Sequence, residues 1–184
     1  MAGPIVELKP HPAHAGTAIR RIEATIALTS NFAQLRFTFR ADGEMGRLRL
    51  QSPATALRAD GLWQHTCFEA FLRPDDGDTY YELNFSPRGA WQVYRFARRR
   101  ASRKLPPVST PRIQFRSDDG ACDMSAVVSL ASLPGIARAK RIHTGLAAVI
   151  EERDGTLGYW ALAHRARQPD FHDPVTFTLA LPVA

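Results

Sequence analysis

Apolar and polar residues alternate along most of the chain, so that nearly every second position is apolar. This period of two is typical of strands that place one face in a core, whereas helices repeat every 3.6 residues. Short runs containing glycine, aspartate or proline separate the alternating segments and favour tight turns. The pattern predicts about eleven strands, at residues 18–29, 34–41, 46–51, 67–74, 79–87, 90–98, 112–117, 124–130, 142–152, 157–164 and 175–182.

Helix is scarce in this pattern. Residues 130–137 and 53–63 are each predicted to contain one short helical turn, and residues 100–111 an exposed loop. Many short strands joined by close turns favour an all-β fold, specifically an antiparallel β-sandwich of two sheets. Since no repeat, low-complexity tract or long linker interrupts the 184 residues, we expect a single domain spanning residues 1–184.

The three central strands, 67–74, 79–87 and 90–98, contain polar residues whose placement follows from strand geometry. Side chains alternate between the two faces of a strand, and a buried face fixes the register between strands. One face is therefore predicted to be buried and apolar, and it consists of Phe68, Ala70, Leu72, Tyr81, Leu83, Phe85, Tyr94 and Phe96. The opposite face then carries Glu69, Glu82, Asn84, Trp91 and Arg95.

The turns between these strands decide which polar side chains become neighbours. Hairpins that close at residues 75–78 and 86–89 would pair the strands in sequence order. Glu69 would then lie beside Asn84, and Asn84 beside Trp91. A tryptophan on a polar face is unusual, because burying so large a ring contributes about 2–3 kcal/mol. We therefore expect this ring either to pack under a loop or to stack on a ligand.

The polar face as a whole suits a sugar. A sugar stacks its C–H face on an aromatic ring, and its hydroxyl groups need hydrogen-bond donors and acceptors, which carboxylate, amide and guanidinium groups supply. The alternative is an ordinary solvated face on which Glu82 and Arg95 come within reach of each other and form a cross-strand ion pair.

Charge and targeting signals narrow the classes of partner. The chain carries 24 lysines and arginines against 18 aspartates and glutamates, a net charge of +6. Much of the excess lies in residues 95–104, which could contact phosphates but are typical of a solvated strand end and loop, so nucleic acid is not expected as a partner. Cys67 and Cys122 form no CxxC pair. Without a secretory signal or a run of about eighteen apolar residues, the chain is expected to be cytoplasmic and not to enter a membrane.

Two histidine-containing stretches bear on metal binding. His11 and His14 lie three residues apart, and residues 164–173 contain two histidines and two aspartates. Such clusters can ligate a metal, but more often they form loops held by side-chain hydrogen bonds. Haem would need a methionine with a histidine, and nothing in the sequence marks a pocket around Met45 or Met124. No metal or cofactor is therefore predicted, and haem is kept as an alternative.

A carboxylate pair could also indicate catalysis. Glycoside hydrolases place two acids beside the bond that they cleave, and Glu69 and Glu82 share a predicted face. However, two glutamates on one sheet face are common, and the chain contains no G-x-S-x-G, P-loop or G-x-G-x-x-G motif. The sequence therefore predicts a protein that is not an enzyme.

The stretch LWQHTCFEAFLRP, followed by YYELNFSPRGAWQVYRF, resembles the DOMON-like domain group, which is related to the family-9 carbohydrate-binding modules. The first part of the motif is matched by Leu62, Trp63, Thr66, Glu69 and Phe71, and the second by Asn84, Ser86, Pro87 and Gly89. Residues 159–174 and 8–12 are similar to an uncharacterised bacterial subgroup of DOMON-like proteins, so the resemblance covers nearly the whole chain.

The resemblance implies a β-sandwich of two antiparallel sheets that binds a sugar or haem, mostly without catalysis. For the sugar-binding relatives it implies that Trp63 and Glu69 contact the ligand. The modules often have an aspartate shortly after the tryptophan, where this chain has QHT. Their second sugar-stacking aromatic residue has no certain counterpart here, and Trp160 is a candidate on residue type alone. We thus expect a small sugar-like ligand in a pocket formed by Trp63, Glu69, Glu82, Asn84, Trp91, Arg95 and Trp160. The alternatives are a protein-interaction or scaffold module with a vestigial pocket, or a haem-binding domain.

Overall fold

The structure is a computed structural model that describes residues 3–29, 32–50 and 57–183. Its eleven strands are β1 (Val6–Pro10), β2 (Ile19–Leu28), β3 (Gln34–Gly43), β4 (Cys67–Pro74), β5 (Tyr80–Phe85), β6 (Trp91–Phe96), β7 (Arg112–Ser117), β8 (Ala121–Ser129), β9 (Arg141–Glu151), β10 (Leu157–Ala161) and β11 (Leu179–Pro182). Helix in these ranges is limited to α1 (Pro134–Ala137) and 3-10 turns at Met45–Arg47, Leu62–Gln64, Leu130–Ser132 and Pro174–Thr176. In the described ranges, no helix has the length and apolar character needed to cross a membrane.

All eleven strands belong to one antiparallel sheet, in the order β6-β5-β4-β9-β10-β1-β2-β3-β8-β7, with β11 also paired to β9. Strand β1 joins the two halves of this sheet, because it pairs with β2 through Val6–Leu8 and with β10 through Lys9 and Pro10. We call the half that contains β4, β5, β6, β9, β10 and β11 the β4 half, and the half that contains β2, β3, β7 and β8 the β3 half. The antiparallel all-β architecture is confirmed, but a division into two separate sheets is not.

The sheet curls so that its two halves face each other across the main core. Phe37 on β3 lies 5.8 Å from Phe85 on β5, and Phe39 on β3 lies 5.2 Å from Phe68 on β4, measured between ring centroids. These strands are far apart in the hydrogen-bonding order, so the contacts require a curved sheet. Each fully buried aromatic ring contributes about 2–3 kcal/mol of hydrophobic stabilisation, and this core closes the fold.

Ten of the predicted strands overlap an observed one, and the differences have physical reasons. The strand predicted at 46–51 is wrong, because Met45–Arg47 forms a 3-10 turn; residue 51 lies outside the described ranges. Strand β1 was not predicted, since Leu8 is its only fully buried residue and gives no visible alternation. A helical turn within 130–137 is confirmed. In the segment predicted at 53–63, residues 53–56 lie outside the described ranges, and the described part has a 3-10 turn that begins only at Leu62.

The register between β5 and β6 corrects the predicted faces of β6. The connecting turn closes through Ser86, whose N–H donates to the Ala90 oxygen at 2.8 Å, and it includes Gly89 with φ 87°. In the structure Phe85 pairs with Trp91, whereas the predicted partner of Trp91 was Asn84. A one-residue slip moves every side chain of a strand to the other face.

Four β6 residues therefore change sides relative to the prediction. Trp91 packs in the main core, and Arg95 lies opposite Tyr81 on that same face. Tyr94 and Phe96 lie instead on the face that carries the glutamates. The prediction that Glu82 and Arg95 share a face is therefore wrong, and so is the alternative in which they form an ion pair, because the two side chains leave opposite faces of the sheet.

A buried carboxylate ties the two halves together where β9 ends. Glu152 accepts hydrogen bonds from the backbone N–H groups of Thr17, at 2.5 Å, and Ala18, at 2.9 Å, which precede β2. Its other oxygen accepts from the Arg47 guanidinium at 2.8 Å. Three chain segments that are distant in sequence thus meet at a single side chain that is 3% exposed.

Candidate ligand-binding cleft

The glutamate-bearing face of the β4 half is covered by a second, smaller core. Phe71 on β4 contacts Phe171 and Phe177 of the C-terminal segment, with ring centroids 6.4 and 5.8 Å apart. Gly145, which pairs with Phe71, makes the second contact possible, because a Cβ there would lie 2.8 Å from the Phe177 ring. The remaining members of this second core are Tyr80, Tyr94, Phe96, Ala147, Val149 and Ala161.

A cleft of about 280 Å³ opens at the edge of the second core, and its lining residues are Trp63, Glu82, Tyr94, Phe96, Arg100, Arg103 and His172. The Trp63 ring, on the 3-10 turn before β4, meets the Tyr94 ring edge to face with centroids 5.8 Å apart. The lining of the cleft thus combines aromatic rings with polar and charged groups, the combination typical of small-molecule sites. Four larger surface depressions, of 470, 670, 760 and 590 Å³, contain no buried carboxylate in their linings.

A chain of hydrogen bonds orients the polar groups of the cleft. The Arg100 backbone N–H donates to the Tyr80 hydroxyl oxygen at 3.1 Å, and the Tyr80 hydroxyl lies 2.7 Å from His172 Nδ1. Since a hydroxyl that accepts from Arg100 can still donate its proton, the network assigns Nδ1 of His172 as acceptor and Nε2 as the protonated nitrogen. Nε2 faces Glu82 Oε2 at 3.4 Å.

Burial shifts the pKa values of both groups. Desolvation, with Arg100 adding to it, lowers the pKa of His172 to about 4, so the imidazole is neutral at physiological pH. Desolvation raises the pKa of Glu82 to about 7, against the lowering effects of the hydrogen bond from Asn84 and the charges of Arg100 and Arg103. Glu82 can therefore accept hydrogen bonds as a carboxylate or donate one as an acid near neutral pH.

Glu69 and Asn84 lie beside Glu82, beneath the cleft. The predicted pairing of Glu69 with Asn84 across β4 and β5 is confirmed. Asn84 Nδ2 donates to Glu82 Oε1 at 2.9 Å, but Asn84 Oδ1 and Glu69 Oε1 are buried without a hydrogen-bond partner. Burial raises the pKa of Glu69 well above its ordinary value, and the charge of Glu82 raises it further.

The structure brings only some of the predicted site residues together. Trp63 and Glu82 line the cleft, and Glu69 and Asn84 lie next to it. Three others, Trp91, Arg95 and Trp160, do not line it: both tryptophans pack in the main core, and Arg95 leaves β6 on the main-core face. Five lining residues were not among the predicted site residues, namely Tyr94, Phe96, Arg100, Arg103 and His172.

The histidine clusters are engaged in protein contacts. His11 Nδ1 accepts from the Ala13 N–H, its Nε2 lies 3.2 Å from the Ala166 oxygen, and His164 Nε2 lies 2.9 Å from the Lys9 oxygen. Within the part of the chain that the structure describes, no group of three or more histidine, cysteine, aspartate or glutamate side chains is arranged to hold a metal. The two methionines considered for haem, Met45 and Met124, are buried in the main core.

Comparison with known proteins bears on the fold. No family model and no curated protein matches the chain. The structure is similar to a candidate carbohydrate-binding protein from Bacteroides uniformis ATCC 8492, with a TM-score of 0.71 and 13% identity over 95% of this chain and 84% of that chain. A family-9 carbohydrate-binding module from Caldicellulosiruptor kristjanssonii, in complex with glucose, aligns at a TM-score of 0.45 and 9% identity over 84% and 74% of the two chains.

The first of these matches defines a shared fold class, since at such low identity a likeness extends to the fold alone. Membership of the DOMON-like group is not confirmed and stays a prediction.

Proposed function

We propose that this protein is a non-catalytic module that binds one sugar residue in the cleft. The observation that carries the proposal is the composition of the cleft, whose lining brings the Trp63 and Tyr94 rings together with Glu82 and His172. Catalysis is not proposed, because glycoside cleavage needs two carboxyl groups at the bond and, of the two glutamates considered, only Glu82 lines the cleft.

The aromatic and the polar lining residues of the cleft each match one part of a sugar. The C–H face of the ring would stack on the indole of Trp63, which is partly exposed and therefore accessible. Ring hydroxyl groups would donate to Glu82 and accept from the His172 Nε2–H. Because Glu82 has a pKa of about 7, it can serve either as acceptor or as donor, which suits the mixed donor and acceptor character of hydroxyl groups.

Two further observations support the proposal. The volume of about 280 Å³ is at the lower end of the range for ligand pockets, which suits a single sugar residue better than a long glycan. The Bacteroides uniformis protein with the same fold is itself a candidate carbohydrate-binding protein. The alternative of a scaffold with a vestigial pocket would be favoured by a Glu69 fully bonded to protein groups, whereas Glu69 Oε1 has no partner.

Titration calorimetry and tryptophan fluorescence with a panel of neutral and acidic monosaccharides test the proposal. We expect saturable binding by at least one sugar, accompanied by a change in emission from Trp63, since Trp91 and Trp160 are buried in the main core. Trp63→Ala should weaken binding about 30-fold, because losing the stacking surface removes about 2 kcal/mol.

A matched control is Phe32→Ala, which removes an exposed aromatic ring between β2 and β3 in the other half of the sheet. This variant should bind as the unmodified protein does. The proposal fails if no sugar of the panel binds, or if a folded Trp63→Ala protein, checked by circular dichroism, keeps its affinity.

A further inference from the structure

The cleft receives two guanidinium groups from the loop that follows β6. Arg100 and Arg103 line the cleft. Arg100 also pairs with Asp170 at 2.8 Å, and its neighbour Arg99 pairs with the same Asp170 at 2.5 Å and with Asp173 at 3.6 Å. Part of the basic run that the sequence indicated as a solvated loop therefore lines the cleft.

The loop holds these arginines in place through an unfavourable backbone. Arg100 and Ser102 both have φ of 54°, in the left-handed region that costs a non-glycine residue about 1–2 kcal/mol. Hydrogen bonds compensate: Tyr80 accepts from the Arg100 N–H, and the loop is closed by paired backbone bonds of 2.9 and 2.8 Å between Arg95 and Lys104. These bonds hold the backbone of the loop that carries the two arginines.

Positive charge exceeds negative charge in the lining of the cleft, where two arginines, Arg100 and Arg103, accompany one glutamate, Glu82. Arg100 is already paired with Asp170 at 2.8 Å. Arg103 lies 4.0 Å from Asp60, and its guanidinium lies over the Tyr94 ring, 5.0 Å from the ring centroid. Since Arg103 has the longer ion-pair distance of the two, it is the cleft guanidinium with more capacity to pair with an anion.

We infer that the ligand is an acidic monosaccharide, a sugar ring that carries one carboxylate or phosphate group. This inference rests on the proposed function and names the class of sugar. The oxyanion would accept hydrogen bonds from Arg103 and Arg100, since guanidinium groups match the geometry of carboxylates and phosphates. The ring would stack on Trp63, and its hydroxyl groups would meet Glu82 and His172.

Calorimetry on the intact protein at pH 6.5 and low salt separates the sources of the oxyanion. The probes are glucuronate, galacturonate, glucose 6-phosphate, glucose, galactose and inorganic phosphate. We expect at least one acidic sugar to bind at least tenfold more tightly than its neutral parent, and more tightly than inorganic phosphate. Preference for the uronates identifies a carboxylate ligand, and preference for glucose 6-phosphate identifies a phosphate ligand.

Arg103→Gln tests the proposed contact. The variant should lose at least tenfold in affinity for the preferred acidic sugar and stay within about twofold for glucose, with the loss shrinking at high salt. Arg112→Gln, which removes an exposed arginine from β7, is the control and should change neither affinity.

The outcomes separate the two proposals. Equal binding of glucose and glucuronate, with Arg103→Gln unchanged, overturns the acidic-sugar inference and leaves sugar binding intact. Inorganic phosphate binding as tightly as glucose 6-phosphate overturns it as well, because a sugar ring would then contribute nothing. Absence of binding by every sugar overturns both.

The pH dependence of uronate binding supplies a second test. Several polar and charged groups surround Glu82. On the sheet these are Asn84 on its own strand, Glu69 on β4 and Tyr94 on β6. From outside the sheet they are Asp60, His172, Arg100 and Arg103. As pH rises from 6 to 8, Glu82 ionises beside the oxyanion while His172 stays neutral, so affinity for glucuronate should fall about tenfold. Glu82→Gln should abolish this dependence, and an affinity that rises with pH would contradict the inference.

Discussion

Replacing Glu69 with methionine should raise the free energy of unfolding by about 1–3 kcal/mol at pH 8, although it removes a polar residue next to the proposed site. Glu69 is 2% exposed, and its Oε1 has no hydrogen-bond partner. A buried acid without a partner destabilises the folded state, and methionine has a similar length without that penalty. A residue that weakens the fold is expected where function requires it, so sugar binding should decrease while stability increases.

The sign of the pH dependence follows from the raised pKa. An acid whose pKa is higher in the folded state contributes full stability below its unfolded pKa, near 4.5, and loses that contribution as pH rises toward the folded value. Glu82 acts in the same direction, and its rise to about 7 corresponds to about 3 kcal/mol between pH 4.5 and pH 7. The unmodified protein should therefore lose stability from pH 5 to pH 8, and Glu69→Met should lose less.

Urea unfolding at pH 5, 6.5 and 8, followed by circular dichroism, measures both effects. Glu69→Gln is the matched control, because it removes the ionisable group but keeps an amide that still needs partners. Its stability at pH 8 should lie between those of the unmodified protein and Glu69→Met. A Glu69→Met protein that is less stable at pH 8 would mean that Glu69 is well satisfied in the folded state, contrary to the structure.

The strand pattern was sufficient to place β4 and β5 but not β6. Alternation located the strands, and the β4–β5 pairing of Glu69 with Asn84 followed correctly from the turn between them. In the next hairpin, the turn around Gly89 shifts the pairing by one residue, and the periodic pattern on β6 fits either register because both of its faces are buried. Parity thus assigned Tyr94 and Trp91 to the wrong faces.

The lining of the cleft was harder to predict for a different reason. Trp63 was found through the resemblance, and Glu82 through strand parity. His172 reaches the cleft from a segment 90 residues further along the chain than Glu82, and no local pattern encodes such a contact. The sequence indicated that Arg100 and Arg103 are solvated loop residues, because no glycine marks the left-handed backbone of this loop.

Glu152→Ala should lower the free energy of unfolding by about 2–3 kcal/mol, because Glu152 is the acceptor for the buried Ala18 N–H and for a guanidinium that is itself partly exposed. The alanine would leave the N–H groups of Thr17 and Ala18 without their carboxylate acceptor and the Arg47 guanidinium without its closest acidic partner. These groups lie where the two halves of the sheet meet, so the loss should loosen the closure of the main core. Urea unfolding at pH 7 measures the difference.

Glu44→Ala is the matched control, since Glu44 is an exposed acid 3.6 Å from the same Arg47 and its loss should change stability by no more than about 0.5 kcal/mol. Burial alone would raise the pKa of Glu152, but the N–H groups of Thr17 and Ala18 and the charge of Arg47 hold it below its ordinary value. Its contribution is therefore present above the unfolded pKa and is lost as pH falls through the folded one, opposite in sign to that of Glu69. The cost of Glu152→Ala should accordingly shrink toward pH 3, and a cost below about 1 kcal/mol at pH 7 would contradict its role in joining the two halves.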